Sequence, residues 1–198
     1  MYKNYIKKLL DFVLSFLLLI ILSPIFLIIA IISKIEEPKG TIFFKQERAG
    51  VDNKPFMCYK FRSMSMDAPQ NESTWELENP DSFITPLGKF LRKTSLDELP
   101  QLINIVKGDM SFVGPRPVIL KERELLDLRA ANGSAKAKPG ITGLSQISGR
   151  DNLDPATKAQ TDSIYANDIT FINDLKIFLK TIPKVFKAEG VREGKQNF

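Results

Sequence analysis

Apolar residues are concentrated near the amino terminus of this 198-residue chain. Between Phe12 and Ile32, 18 of 21 residues are apolar and none is charged. At about 1.5 Å per residue, a straight helix of this length reaches roughly 30 Å, the thickness of the hydrocarbon layer of a bilayer. No small-residue cleavage site follows the run, so a signal peptide fits poorly. The pattern predicts a membrane segment.

A serine–proline pair interrupts this apolar run. Pro24 has no N–H group and clashes with the preceding helical turn, so it predicts a kink or break, where the Ser23 hydroxyl can supply a hydrogen bond. Each half of the run is too short to span a bilayer alone. From these residues, a kinked spanning helix and a re-entrant segment both stay open. Lysines flank the run on both sides, which favours placing both of its ends at the anionic, cytoplasmic face of a membrane. These lysines are Lys3, Lys7, Lys8, Lys34 and Lys39.

The rest of the chain carries nearly all the charge and predicts a mixed α+β fold, mainly helical with a small β-hairpin. The turn residues Gly50, Asp52 and Asn53 lie between two β-rich patterns, which predicts the hairpin. After the hairpin, apolar residues that recur about every 3.6 positions predict helices. The predicted strands are Ile42–Phe44 and Phe56–Phe61, the helices are Leu87–Arg92, Asp97–Lys107 and Val118–Ala130, and the loops are Met66–Asp81 and Asn132–Gly143.

The last periodic segment, Ile169–Phe186, has one apolar side flanked by lysines. An amphipathic helix of this kind can lie on a membrane surface or pack on a protein core. The pattern leaves both placements open.

The amino-acid composition excludes several kinds of catalytic and metal site. The chain has no histidine and a single cysteine, so Ser-His and Cys-His catalysis, His-liganded zinc, Cys₄ sites and intrachain disulfides are excluded. Any polar chemistry must use carboxylates, hydroxyls, lysine or arginine. The formal net charge of +5 favours a polyanionic partner, which could be a phosphate-bearing ligand, an anionic lipid or a nucleic acid.

The stretch from Ser95 to Pro100 carries adjacent acids, Asp97 and Glu98. Ser95 and Glu98 fit a helix capping box, but Pro100 would then occupy a position that needs its N–H. With Asp97 as the first residue of the turn, no donor is lost, and the helix N-terminus would hold its carboxylate ionised. Such a carboxylate can attack phosphorus or bind Mg²⁺. By spacing alone, capping and catalysis both stay open.

Basic residues recur on the segments around this acidic pair. Arg116 is notable because Pro115 and Pro117 restrict the backbone on both sides of it, which makes the loop rigid. Arginine offers a planar fork suited to phosphate oxygens. Neither a P-loop nor a dinucleotide-binding glycine motif is present in the sequence. The candidate phosphate-binding residues are Lys60, Arg62, Arg92, Arg116 and Arg150.

Five motifs in order resemble those of the small monotopic polyprenyl-phosphate phosphoglycosyl transferases, the bacterial sugar transferase family. Together with the Ser23-Pro24 break, they extend over nearly the whole chain. They are Tyr59–Met64 (YKFRSM), Arg92–Asn104 (RKTSLDELPQLIN), Lys107–Pro117 (KGDMSFVGPRP), Lys138–Gln146 (KPGITGLSQ) and Ser148–Arg150 (SGR).

The resemblance implies transfer of a sugar-1-phosphate from a UDP-sugar to undecaprenyl phosphate, with release of UMP. The family's Asp-Glu pair maps onto Asp97 and Glu98. Asp97 would attack the β-phosphorus and form a covalent phosphosugar intermediate, and Glu98 would deprotonate or orient the lipid phosphate. Mg²⁺, held in part by Asp97, would neutralise diphosphate charge. The five basic residues named above would face phosphates or the nucleotide.

The resemblance also implies a re-entrant amino-terminal segment bent at Ser23-Pro24, with amphipathic helices at the membrane interface. We therefore expect a membrane anchor over residues 1–35 and a catalytic domain over residues 36–198, on the cytoplasmic face of the bacterial inner membrane. The expected partners are the UDP-sugar, the lipid phosphate and the anionic bilayer, with no nucleic acid. The reaction would be the first membrane step of glycoconjugate or polysaccharide synthesis. A homo-oligomer and contacts with downstream glycosyltransferases are left open.

Two other functions fit parts of the sequence. One is a membrane-tethered module that binds polyanions without turnover, although few aromatic residues are interleaved with the basic ones. The other is a glycosyltransferase with a spanning helix and an extracytoplasmic domain.

Overall fold

The architecture is known from a computed structural model, which describes residues 1–69, 77, 79–149 and 152–187. Within these residues the fold is α+β and mainly helical, with two small sheets. Strands β1 and β2 form an antiparallel hairpin, and β3 pairs with β4 in parallel. The strands are β1 (Phe43–Ala49), β2 (Pro55–Phe61), β3 (Ser111–Val113) and β4 (Gly140–Thr142); the α-helices are α1 (Lys7–Ile21), α2 (Ser23–Glu36), α3 (Pro86–Thr94), α4 (Gln101–Lys107), α5 (Arg123–Ala131), α6 (Leu144–Ser148), α7 (Pro155–Asn167) and α8 (Phe171–Lys187).

The amino-terminal segment is a bent pair of helices. The segments Tyr2–Ile21 and Ser23–Glu36 meet at 59°. No single helix among the described residues is long and apolar enough to cross a membrane, but the bent pair together has the length and composition to do so. The cause of the bend is local. Pro24 cannot donate to the carbonyl of Ile20, and the Ser23 hydroxyl donates to that oxygen instead, at 2.8 Å. The predicted helix break is confirmed.

Polar side chains attach the start of α1 to the rest of the protein. The Lys7 ammonium lies 2.6 Å from the Asp174 carboxylate of α8, and the hydroxyls of Tyr2 and Tyr165 donate to the same carboxylate at 2.7 and 2.8 Å. One turn later, the Asp11 carboxylate accepts the backbone N–H of Phe112 in β3 at 3.2 Å. Helix α1 is therefore held to both α8 and β3.

A buried amide side chain joins the hairpin to α4. Asn104 is fully buried, donates to the Met57 carbonyl at 2.7 Å and accepts the Tyr59 N–H at 3.0 Å. It satisfies the free edge of β2 as another strand would. The interface also buries Cys58 against Leu102. This contact fixes the segment that leads into α4 against β2.

Several predicted boundaries were wrong for tertiary reasons. Helix α5 begins at Arg123 instead of Val118, because the Val118 carbonyl accepts the N–H of Ala49 and continues the edge of β1. The predicted loop at 132–143 contains β4, whose pairing with β3 joins segments far apart in the sequence. The predicted hairpin is confirmed, with β1 extending to Ala49. The predicted loop at 66–81 lies partly outside the described residues.

Helix α8 has two faces with different surroundings. Asp174, Ile177 and Thr181 face the protein, where the Thr181 hydroxyl lies 2.6 Å from that of Thr142 in β4. The opposite face exposes large apolar side chains, including Phe178 and Leu179. The predicted amphipathic helix is confirmed, and core packing accounts for one face only.

We expect Asn104→Ala to lower the free energy of unfolding by about 2–4 kcal/mol, because a buried carbonyl and a buried N–H of β2 would lose their partners. Thermal unfolding in detergent would measure this. Asn167→Ala, on an exposed side chain, is the matched control and should change stability by less than about 0.5 kcal/mol. Equal shifts in the two variants would contradict the assigned role of Asn104.

Candidate functional site

The acidic pair lies in a short turn between α3 and α4. Ser95 adopts a left-handed conformation (φ 56°), and one 3₁₀ turn follows over Leu96–Glu98. Helix α4 begins only at Gln101, so Pro100 precedes the hydrogen-bonded helix and costs it no donor. The Ser95 side chain makes no capping hydrogen bond, so the capping box does not form. The prediction that Asp97 is the first residue of the helix was wrong by one turn.

Glu98 forms salt bridges with two cations of the site. Its Oε1 accepts from the Lys60 ammonium at 2.8 Å and from the Arg116 guanidinium at 3.4 Å, and the residue is 8% exposed. Lys60 comes from β2 and Arg116 from the loop after β3. A single carboxylate thus joins three segments that are distant in the sequence.

Asp97 has different surroundings. Within the described part of the chain its carboxylate makes no hydrogen bond or salt bridge. Burial raises the pKa of Asp97 above its usual range; Lys60 counteracts this, Glu98 adds to it, and Arg92 and Arg116 lower it again. Burial therefore outweighs the pKa-lowering effect that was predicted for a carboxylate at a helix N-terminus. The result is a half-buried carboxylate within electrostatic reach of three cations.

The loop that carries Arg116 is held by its backbone. A Cβ on Gly114 would lie 2.1 Å from the Lys138 carbonyl, and one on Gly143 would lie 2.1 Å from the Gly114 carbonyl, so close backbone packing requires glycine at both positions. Pro115 and Pro117 restrict the residues that follow. The loop therefore presents the Arg116 side chain on a stiff support.

Two arginines that the sequence analysis missed donate to this loop. Arg129 of α5 donates to the Arg116 carbonyl at 3.0 Å, and Arg48 of β1 donates to the Pro117 carbonyl at 3.4 Å. Burial lowers the pKa of Arg48, and the nearby Arg116 lowers it further. A signal for Arg129 did exist in the sequence: it falls on the same helical face as Leu125 and Leu126, which predicts a buried charge in need of partners.

The predicted basic residues separate into three groups. Lys60, Arg92 and Arg116 lie around Asp97. Arg62 turns away: its guanidinium donates to the hydroxyl and carbonyl of Thr41, before β1. Arg150 lies outside the described residues.

The residues present suit a magnesium ion that also contacts a ligand. In the described ranges no group of three or more His, Cys, Asp or Glu side chains comes together. Mg²⁺ often binds through one or two carboxylates and completes its shell with substrate phosphates and water. Asp97, whose carboxylate has no protein partner among the described residues, fits such a site. Together, the open carboxylate and the surrounding cations are suited to phosphate chemistry.

Comparison with known proteins gives close relatives. The chain is 41% identical over 202 residues to an undecaprenyl-phosphate galactose phosphotransferase of Salmonella typhimurium, which covers 94% of this chain but 42% of that protein. It is 39% identical to the exopolysaccharide production protein ExoY of Sinorhizobium fredii, over 93% of this chain and 87% of that protein. It is 41% identical to a UDP-glucose:undecaprenyl-phosphate glucose-1-phosphate transferase of Klebsiella pneumoniae, over 91% of this chain and 40% of that protein.

The chain thus spans less than half the length of two of these relatives and most of the third. The sequence profile of the bacterial sugar transferases matches residues 2–188, which is nearly the whole chain. This protein belongs to the bacterial sugar transferase family.

Proposed function

We propose that this protein transfers a sugar-1-phosphate from a UDP-sugar to undecaprenyl phosphate, giving a lipid diphosphosugar and UMP. The observation that carries the proposal is the Asp97 carboxylate, which has no protein partner among the described residues and lies among Lys60, Arg92 and Arg116. A nucleophile surrounded by cations suits a phosphorylated electrophile, because the cations attract the donor and stabilise charge that develops at phosphorus. The names of the relatives, which include UDP-glucose and undecaprenyl phosphate, support this substrate class.

In the first step, an Asp97 oxygen attacks the β-phosphorus of the donor. A bond forms between that oxygen and the phosphorus while the bond to the bridging oxygen of the α-phosphate breaks. UMP leaves with the electron pair, and a phosphosugar stays on Asp97 as an acyl phosphate. In the second step, an oxygen of the lipid phosphate attacks the same phosphorus and restores the Asp97 carboxylate. No histidine is required.

Glu98 acts on the groups around the reacting phosphorus. Its contacts hold Lys60 and Arg116 beside Asp97, so that both cations face the transferred phosphoryl group. Glu98 also orients the lipid phosphate and accepts its proton when that phosphate arrives protonated. Arg92, at the end of α3, adds positive charge near Asp97.

Mg²⁺ is the metal that fits this site, with Asp97 as a protein ligand. When bound, it supplies Lewis-acid neutralisation of the diphosphate. Asp97 is also the attacking group. The positive charge around its carboxylate therefore affects both its pKa and its reactivity as a nucleophile.

We propose a membrane placement that accounts for the exposed apolar surface. The bent helices expose Phe12, Phe16 and Ile28, and α8 exposes Phe178 and Leu179. A soluble surface rarely carries this much apolar area. In this placement residues 1–35 enter and leave the same leaflet, α8 lies in the interface, and residues 36–198 stand on the cytoplasmic face of the bacterial inner membrane, where donor and lipid phosphate can meet.

We expect the purified protein to release UMP from at least one UDP-sugar when undecaprenyl phosphate and Mg²⁺ are present, and to lose this activity when Mg²⁺ is chelated and regain it on re-addition. A panel of UDP-sugars assayed for UMP would identify the donor. Tight binding of lipid or nucleic acid without UMP release from any donor would favour a binding module and contradict the proposal.

We expect Asp97→Asn to abolish turnover and, at the same time, to raise the melting temperature at pH 7. The pKa of Asp97 is raised in the folded protein, so the folded state binds the proton more tightly than the unfolded chain, and this group lowers stability as pH rises above its unfolded value near 3.9. The neutral amide removes that penalty. The stability gain should therefore disappear at acidic pH, where Asp97 is protonated in both states.

Mass spectrometry after incubation with donor alone should find a phosphosugar on a wild-type peptide containing Asp97, and none on Asp97→Asn. Glu98→Gln is a useful comparison, because it keeps the nucleophile. Native turnover by Asp97→Asn would exclude the covalent mechanism, whereas lost turnover with a lowered melting temperature at pH 7 would contradict the account of its pKa.

Labelling of introduced cysteines should reveal the topology. Lys3→Cys and Lys39→Cys place exposed thiols before and after the apolar run. The native Cys58 gives little background, since it is 2% exposed and burial raises the pKa of its thiol. An impermeant maleimide should label neither variant in intact cells and both after lysis. Labelling of only one of them in intact cells would show a spanning segment.

A further inference from the structure

A buried ion pair lies behind the loop that carries Arg116. Arg129 of α5 is 5% exposed and Asp162 of α7 is 1% exposed. The Nε and Nη2 atoms of Arg129 donate to Oδ2 of Asp162 at 2.9 and 2.6 Å. This two-pronged geometry fixes the plane of the guanidinium.

The remaining atoms of the pair reach two other segments. Nη1 of Arg129 donates to the Arg116 carbonyl at 3.0 Å, and Oδ1 of Asp162 accepts from the Ser145 hydroxyl of α6 at 2.8 Å. Four segments, namely α5, α6, α7 and the Arg116 loop, therefore meet at one pair of charges.

The hydrogen bond from Arg129 to the Arg116 carbonyl connects the buried ion pair to the candidate site. The carbonyl that Arg129 holds belongs to the same residue whose guanidinium lies 3.4 Å from Glu98 and acts on Asp97. A rotation of this peptide would move the Arg116 side chain relative to both acids. Buried ion pairs contribute little net stability compared with apolar residues of similar volume, so fixing this peptide is the effect that the pair can exert specifically.

We propose that Arg129, oriented by Asp162, is a positioning residue that sets the Arg116 guanidinium beside Asp97 and Glu98 by holding the Arg116 carbonyl. The proposal rests on the proposed function, since its readout is sugar-phosphate transfer. Arg129 does not touch the reacting atoms.

The test is a mutant cycle between this pair and Arg116. The double variant Arg129→Met/Asp162→Leu removes both charges and leaves no unpaired ion, so we expect it to fold with a melting temperature near that of the wild type. We expect kcat/KM for UMP release to fall about 10–100-fold, because a misplaced group costs rate even where the fold is intact. Ser145→Ala is the matched control: it removes the contact of the pair with α6 but not the contact with the loop, and its kcat/KM should stay within about twofold of wild type.

Arg116→Ala separates positioning from a general loss of structure. If Arg129 acts through the Arg116 side chain, the triple variant should be no slower than Arg116→Ala alone, within about twofold. Multiplied losses would overturn the proposal, as would a double variant with wild-type kcat/KM. If the double variant does not fold, Arg129→Lys takes its place in the same cycle, since an ammonium cannot reproduce the fork to Asp162 together with the bond to the loop. Absence of UMP release by the wild-type protein would instead count against the proposed function.

Discussion

The contact of Glu98 with Lys60 and Arg116 is the interaction on which the site depends. It joins the hairpin, the turn before α4 and the loop after β3. A carboxylate buried without a partner would be costly, so each of the three segments constrains the other two. Asp97 gains its cationic surroundings from the same contact, although it makes no hydrogen bond among the described residues.

Buried polar groups elsewhere follow the same logic. Asn104 holds the edge of β2, Asp174 holds the start of α1, and Asp162 holds Arg129. Each group lies where apolar packing alone would allow neighbouring segments to slide, and each makes directional bonds that permit one arrangement. The hydrophobic clusters supply stability, and these polar groups fix the relative positions of the segments that they join.

The sequence was most informative where the cause was local. Pro24 breaks its helix for steric reasons that act within one turn, and Asn53 lies in a turn that closes the hairpin. It was least informative where distant segments compete. Val118 leaves the helical pattern because it pairs with β1, and β4 exists only because β3 lies beside it. A pattern within a short stretch of sequence does not predict such pairings between distant segments.

The same distinction applies to the site. The acids and three of the basic residues were predicted from the sequence, and the structure brings these side chains together. Arg62 was predicted to face phosphates or the nucleotide, and its guanidinium donates to the Thr41 carbonyl and hydroxyl, a contact that spacing does not reveal. Arg129 was missed because its role comes from a carbonyl on another segment.

The balance of charge around Asp97 supports the proposal that a divalent cation takes part in the reaction. Among the described residues that act on the pKa of Asp97, the cations Lys60, Arg92 and Arg116 oppose the acid Glu98. Even so, burial raises the pKa of Asp97. A UDP-sugar adds about two negative charges and would draw the same cations toward its diphosphate. The ionised Asp97 carboxylate would then be opposed by less positive charge. A divalent cation held by Asp97 would supply positive charge at that point.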